Sequence, residues 1–364
     1  MVMADRVGVR KATSATTAID LIGLGEQMVN ALARVPLKRP WTGSAGLVHN
    51  VGVSVTREVL RAFMGYSSSL PIEEFRSIEF VLDRLCAVVM LPVVAAQGVV
   101  TERSSLGGVP GLWYRPRHNQ PLATILYLHG GGFVGTSPTM YGAFVAQLVS
   151  STDCEIFVAD YRLAPEYPFP AARDDAIAML EELNHIGIPS SQIFVAGDSG
   201  GGGIAAGLMC GPYAGESHRP CGLILFSPEV DLRLDKPSVT ENAERDILPW
   251  NIPTTSYLQG ADPGAGCVSA INQNVERWPP TFVSFGDEEI FRDSIQLLVD
   301  RLEEAGIDTV AVKEEGMFHV FPILMPWAEA SHRVYQGVGT FVRRCIKMPS
   351  LKLDGSAEHR LRQP

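Results

Sequence analysis

The sequence predicts an α/β chain, a mostly parallel central sheet with helices on both faces. Three observations predict it. From Ala123 onward, short apolar runs alternate with amphipathic stretches, the order that builds parallel strands joined by crossover helices. Runs such as ILYL, IFVA and LILF are apolar throughout, as strands covered on both sides are. Two of the strands run into glycine clusters, HGGGF and GDSGGGG, where the backbone must turn sharply or approach a ligand closely.

The ends, up to about Thr17 and over 348–364, read as mobile tails. Residues 18 to about 99 are mostly helical in pattern, as in IEEFRSIEFVLDRLCAVV, so 1–100 is an N-terminal helical segment. Its most apolar run, CAVVMLPVVAA from Cys86 to Ala96, contains Pro92 and is shorter than the roughly 18 to 20 residues of a membrane span, so it is expected to be buried in protein. ATILYLH then reads as a strand, PTMYGAFVAQLVSST as a helix, CEIFVADY as a strand and FPAARDDAIAMLEELNHIG as a helix. QIFVAGD and CGLILFSP are further strands around the glycine-led helix GGGGIAAGLMC, which completes a first core segment over 101–232. Residues 233–277 are rich in Pro, Asn, Gly and charge and interrupt the alternation, as an insertion over the C-terminal edge of the sheet would. A second core segment, 278–347, resumes with PTFVSFGDEE, SIQLLVDRLEEAG and TVAVKEE.

A chain of 364 residues, 46% of them hydrophobic, can bury a substantial core. Its net charge of -10 and the lack of any Lys/Arg-rich run exclude nucleic acid as an expected partner and favour a small, largely apolar substrate. The first twenty residues lack the apolar core of a secretory signal, and Cys86, Cys154, Cys210, Cys221, Cys267 and Cys345 show no C-x-x-C pair and no disulfide framework. A reducing, cytoplasmic setting is the expectation. No clustered ligand set calls for a metal, and no cofactor is expected.

The HGGGF turn is ambiguous alone. Gly130, Gly132 and Gly135 match the G-x-G-x-x-G spacing of a dinucleotide-binding turn, with Asp160 about where a ribose-binding acid would sit. The same bare N–H groups would equally hold the negative oxygen of a reacting carbonyl. GDSGG weighs on the second side, because Gly197, Ser199 and Gly201 form a G-x-S-x-G between a strand and a helix. There the serine must stand on a sharp turn, and residues two before and two after it must lack side chains. A serine hydroxyl needs a base, usually a histidine steadied by a carboxylate. Of eight histidines, His319 in GMFHVF follows the last strand and completes the chain order serine, acid, histidine. Asp287, Glu288, Glu289 and Asp293 in the loop after TFVSFG are all candidate acids, and chemistry alone does not rank them.

HGGGF, DYRLAPEYPFPAA, GDSGGG, SPEVDL and GMFHVF, ordered over about Gly111 to Val342, resemble the hormone-sensitive lipase-like family of α/β-hydrolases. The resemblance implies an α/β-hydrolase fold with a helical cap, formed by the N-terminal segment and the 233–277 insertion, and a serine esterase acting through an acyl-enzyme. It makes Ser199 the nucleophile and His319 the base. EIFRD aligns Glu289 with the family's usual aspartate, leaving Asp287 as second choice. It assigns Gly130, Gly131, Gly132 and Gly200 to the oxyanion hole and Gly197 and Gly201 to the elbow; Phe133, Val134, Tyr141, Trp250 and Phe321 are expected at the pocket. The implied partner is a small-molecule ester, and similar proteins often pair as homodimers. The same acyl-enzyme could serve acyl transfer or cyclisation. The dinucleotide reading accounts for neither the elbow nor His319, and the similar gibberellin receptors lack the histidine that this chain keeps.

Overall fold

The computed structural model describes residues 10–42, 45–211, 219–248 and 254–347. The tail over 348–364, Trp250, His218 and His359 therefore lie outside the described residues. Eight strands form one sheet: β1 (Val99–Leu106), β2 (Val109–Pro116), β3 (Thr124–Leu128), β4 (Glu155–Ala159), β5 (Ile193–Asp198), β6 (Gly222–Phe226), β7 (Thr281–Gly286) and β8 (Thr309–Glu314). Their order is β1-β2-β4-β3-β5-β6-β7-β8. From β4 through β8 every pairing is parallel, whereas β2 runs antiparallel to both β1 and β4.

The side-chain period of two divides each strand between two cores. On β3, Leu126 and Leu128 join one cluster with Phe157, Val195 and Val283, while Ile125 and Tyr127 join the other with Ile156, Val158 and Phe282. Helices α5 (Ala171–His185), α6 (Ser199–Gly207) and α7 (Arg292–Glu304) cover the first face, and α4 (Gly142–Thr152) and α8 (Glu329–Lys347) cover the second. Because β4 and β5 flank β3, the chain leaves β3 toward one edge of the sheet and leaves β5 toward the other. The crevice between the two departing loops is where open α/β sheets bind ligands. Both glycine clusters open into it.

The hairpin β1–β2 departs from the sequence expectation, which began the sheet at Ala123. VVTERSSL has only its two end residues buried, so its polar outer face hides the strand signal, and Glu102, Arg103 and Ser104 leave a charged edge that discourages further pairing. The N-terminal segment forms α1 (Ser14–Arg34), α2 (Leu47–Ser67) and α3 (Ile72–Ala96). Its first helix begins inside the expected tail, where the Thr13 hydroxyl accepts the Thr16 N–H at 3.2 Å and caps the first turn. CAVVMLPVVAA is not buried: Val88 is 71% and Leu91 58% exposed on the outer face of α3, while Val94 faces inward. Among the described residues, no helix is long and apolar enough to cross a membrane.

The cysteine expectation is also corrected. Cys210, three residues beyond α6, and Cys267 form a disulfide with 5.2 Å between Cα atoms. The pairing is set by tertiary proximity across 57 residues, which spacing could not reveal.

Candidate active site

Strand β5 enters α6 through Ser199, whose φ of +50° lies in the left-handed region that side chains avoid at a cost of roughly 1–2 kcal/mol. Close packing imposes it. A methyl on Gly201 would sit 2.1 Å from the Leu128 carbonyl oxygen, and one on Gly197 would sit 2.6 Å from the carbonyl of Gly201. The two glycines let strand and helix approach until the serine hydroxyl is held clear of both.

Ser199 Oγ stands 2.9 Å from His319 Nε2, and His319 Nδ1 stands 3.2 Å from Glu289 Oε2. Facing a carboxylate, Nδ1 carries the proton and donates it, leaving Nε2 to accept from the serine hydroxyl. Glu289 is itself saturated, since its Oε1 accepts from Ser227 Oγ and from the Gly286 N–H, both at 2.6 Å. The other acids of that loop face elsewhere. Asp287 accepts from the Gly316 N–H, Glu288 pairs with Arg57, and Asp293 receives Arg292 and the Ser238 N–H.

Two further acids support the same atoms and went unnoticed in the sequence. Asp198 accepts from Tyr127 Oη at 2.8 Å, Tyr141 Oη at 2.9 Å and the Gly130 N–H at 2.9 Å, joining the serine turn to the HGGGF turn. Asp246 accepts the N–H groups of Ile247, Ile290 and His319 at 2.7, 2.8 and 2.9 Å, so one carboxylate holds the loops carrying both Glu289 and His319. Asp198 sits next to the serine in the motif, but Asp246 lies in a polar stretch where an acid reads as surface charge. Burial pushes Asp198 up to about 6, against the pull of its tyrosine and amide donors, and pushes Asp246 upward as well. On His319 burial acts to lower the pKa, but the Glu289 hydrogen bond and charge, with Asp246 and Asp198, overcome it and raise the imidazole above its ordinary value.

Gly131 and Gly132 have φ of +110° and +60°, and, among the described residues, their N–H groups donate to no protein acceptor. Gly200 lies in the first turn of α6, where amides lack helical partners. Three expectations take a different form. The Gly130 N–H is occupied by Asp198 and Tyr141, Tyr141 spends its hydroxyl in that same network, and Phe321 is fully buried in the core cluster beside α8. Phe133 stacks on Tyr257 at 3.9 Å beside Gly200, and Val134 packs partly buried against the first core, its carbonyl accepting from Arg76. Asp160 donates its N–H to the Pro110 carbonyl on the far side of β4. Among the described residues no group of three or more His, Cys, Asp or Glu side chains is placed to hold a metal ion.

This arrangement can activate a hydroxyl, orient the base that does so, and present unpaired amides to a developing anion. Comparison with known proteins agrees in kind. The profile of the α/β-hydrolase fold matches residues 125–323. An esterase of Acinetobacter venetianus is 29% identical over 294 residues, 79% of this chain and 94% of its own. A carboxylesterase of Mycobacterium tuberculosis is 30% identical over 266 residues, 67% of this chain and 82% of its own. Among solved structures, an esterase from the bacterial hormone-sensitive lipase family superposes with a TM-score of 0.69 at 26% identity, covering 80% of this chain and 98% of that one.

Proposed function

The chain belongs to the α/β-hydrolase fold family, in its hormone-sensitive lipase-like branch, and from that premise we propose that it is a carboxylesterase that cleaves small to medium, largely apolar esters through an acyl-enzyme. Ser199 Oγ attacks the ester carbonyl as His319 Nε2 takes its proton, and Glu289 holds the resulting imidazolium. The oxyanion lies among the N–H groups of Gly131, Gly132 and Gly200. Collapse expels the alcohol, which takes the proton from His319. Water then attacks the acyl carbon by the same route in reverse, returning the proton to Ser199.

The observation that carries this reading is the 2.9 Å contact between Ser199 Oγ and His319 Nε2 at a turn strained to φ +50°. Helices α1 to α3 and the 233–277 segment act as the cap. Support comes from Phe75 and Arg76 of α3 lying against Gly135 and Val134 of the glycine turn, and from Tyr257 of the insertion stacked on Phe133.

A fluorophosphonate probe is expected to label Ser199, and Ser199→Ala to lose both labelling and p-nitrophenyl butyrate hydrolysis. Glu289→Gln is expected to lower kcat by at least about a hundredfold, whereas Asp287→Asn changes it little. A Ser199→Ala protein that keeps full turnover overturns the mechanism. The opposite ranking of the two acids overturns the assignment of Glu289.

A further inference from the structure

One acid at the site has no use in the chemistry above. Glu229 follows β6, two residues after Ser227, and its N–H donates to the Ser199 carbonyl at 2.9 Å. Its own carbonyl lies over Gly203, where a methyl would approach it to 2.4 Å. The residue is thereby pinned between the main chain of the serine and the first turns of α6. Its side chain is buried, the residue being only 1% exposed, and Oε1 is enclosed with no hydrogen-bond partner among the described residues.

Asp198, Asp246 and Glu289, the other acids of this site, each accept three hydrogen bonds from protein groups. Glu229 alone is left with an orphaned oxygen, a state that normally destabilises a fold and that persists where a ligand or the chemistry uses it. Burial pushes the Glu229 carboxyl up to about 7 against the pull of the His319 charge, and burial together with the Glu229 charge raises Tyr257, the ring stacked on Phe133 beside Gly200. Ser199 and His319 are nearly as enclosed, at 7% and 1% exposure. Any opening that admits an ester to the serine therefore reaches the neighbourhood of Glu229 too.

We propose that Glu229 is a specificity-determining residue, its carboxyl accepting a hydrogen bond from a hydroxyl or amino group that the ester substrate carries within a few bonds of the reacting carbonyl. The inference rests on Ser199 being the nucleophile. It narrows the substrate class from plain alkyl esters to esters bearing a hydrogen-bond donor. A site built to bond such a donor rejects the analogue lacking it, because the carboxyl is then left buried and unpaired.

The test compares matched esters by kcat/KM. p-Nitrophenyl butyrate against p-nitrophenyl 3-hydroxybutyrate probes the acyl side. Ethyl butyrate against its 2-hydroxyethyl and 2-aminoethyl counterparts probes the alcohol side. The unmodified protein is expected to favour the donor-bearing member of at least one pair by about tenfold, the order of one net hydrogen bond. In Glu229→Leu that preference is expected to vanish or invert. A ratio between matched substrates does not move with a general loss of folded enzyme, so a merely structural role would leave it unchanged. Should Glu229→Leu fail to fold, Glu229→Gln takes its place. It keeps an acceptor oxygen but no charge, so it is expected to retain a hydroxyl preference and lose an amino one. No preference in any of the three pairs, or one that persists in Glu229→Leu, overturns the proposal. Failure to cleave any of the esters, together with no fluorophosphonate labelling, instead overturns the esterase reading, and the proposal falls with it.

Discussion

At the residue scale, His319, the proposed base, works against its surroundings. Burial disfavours the His319 imidazolium, and the negative charges of Glu289, Asp246 and Asp198 more than offset it. Removing one of those charges shifts the balance toward burial, lowers the imidazole pKa and leaves the base unprotonated at lower pH. Asp246→Asn is therefore expected to move the acid limb of kcat/KM to lower pH. It is also expected to cut kcat by about tenfold, since a buried amide left without its acceptor costs about 1–3 kcal/mol and 1.4 kcal/mol is a factor of ten. An acid limb that stays where it was, measured over pH 5 to 9, would remove Asp246 from this role. Ser199 and His319 were legible because a G-x-S-x-G between strand and helix and a histidine after the last strand are local patterns. Asp246 was not, because an isolated acid in a polar stretch looks the same whether it faces water or the core, and Glu229 was not, because nothing local in SPEVDL tells which way its carboxyl points. Only the fold buries them.

The elements differ in legibility for a related reason. Strands β3 to β7 are buried on both faces and read as largely apolar runs, while β1 carries its polarity outward and reads as connecting chain. The junction of β5 with α6 shows what packing demands of sequence. Alanine at position 201 would press its methyl to 2.1 Å from a backbone carbonyl, which cannot swing aside as a side chain can. Gly201→Ala is expected to destabilise the fold by about 1–3 kcal/mol, the range for overpacking, despite its better helix propensity. Gly25 of α1 has nothing within 4 Å of its added methyl, so Gly25→Ala is expected to stabilise by about 1 kcal/mol. Thermal or urea midpoints of the two variants should move in opposite directions, and a common sign would mean that helix propensity, rather than crowding, governs the elbow.

Across the whole molecule, distant segments meet at the site. Arg61 of α2 donates to the carbonyls of Ala243 and Asp246, Arg57 pairs with Glu288, and Arg76 of α3 grips Glu166 and the Ala164 and Val134 carbonyls. The N-terminal helices thus hold the loops around His319 and the glycine turn. The disulfide adds a covalent tie. Cys210 and Cys267 enclose β6, Ser227, Glu229, Asp246 and Tyr257 in one loop, and a loop of this size stabilises by about 4 kcal/mol on the chain-entropy account. Cys267→Ser is expected to lower the thermal midpoint by several degrees, and thiol titration of the unfolded, unreduced chain should count four groups, rising to six after reduction. Six without reductant would show that the bond does not form. That ring has a bench-level corollary. Protein purified in dithiothreitol and protein purified in air would be different chemical species around the same serine, and kinetic constants from the two are comparable only when the oxidation state of each sample is known.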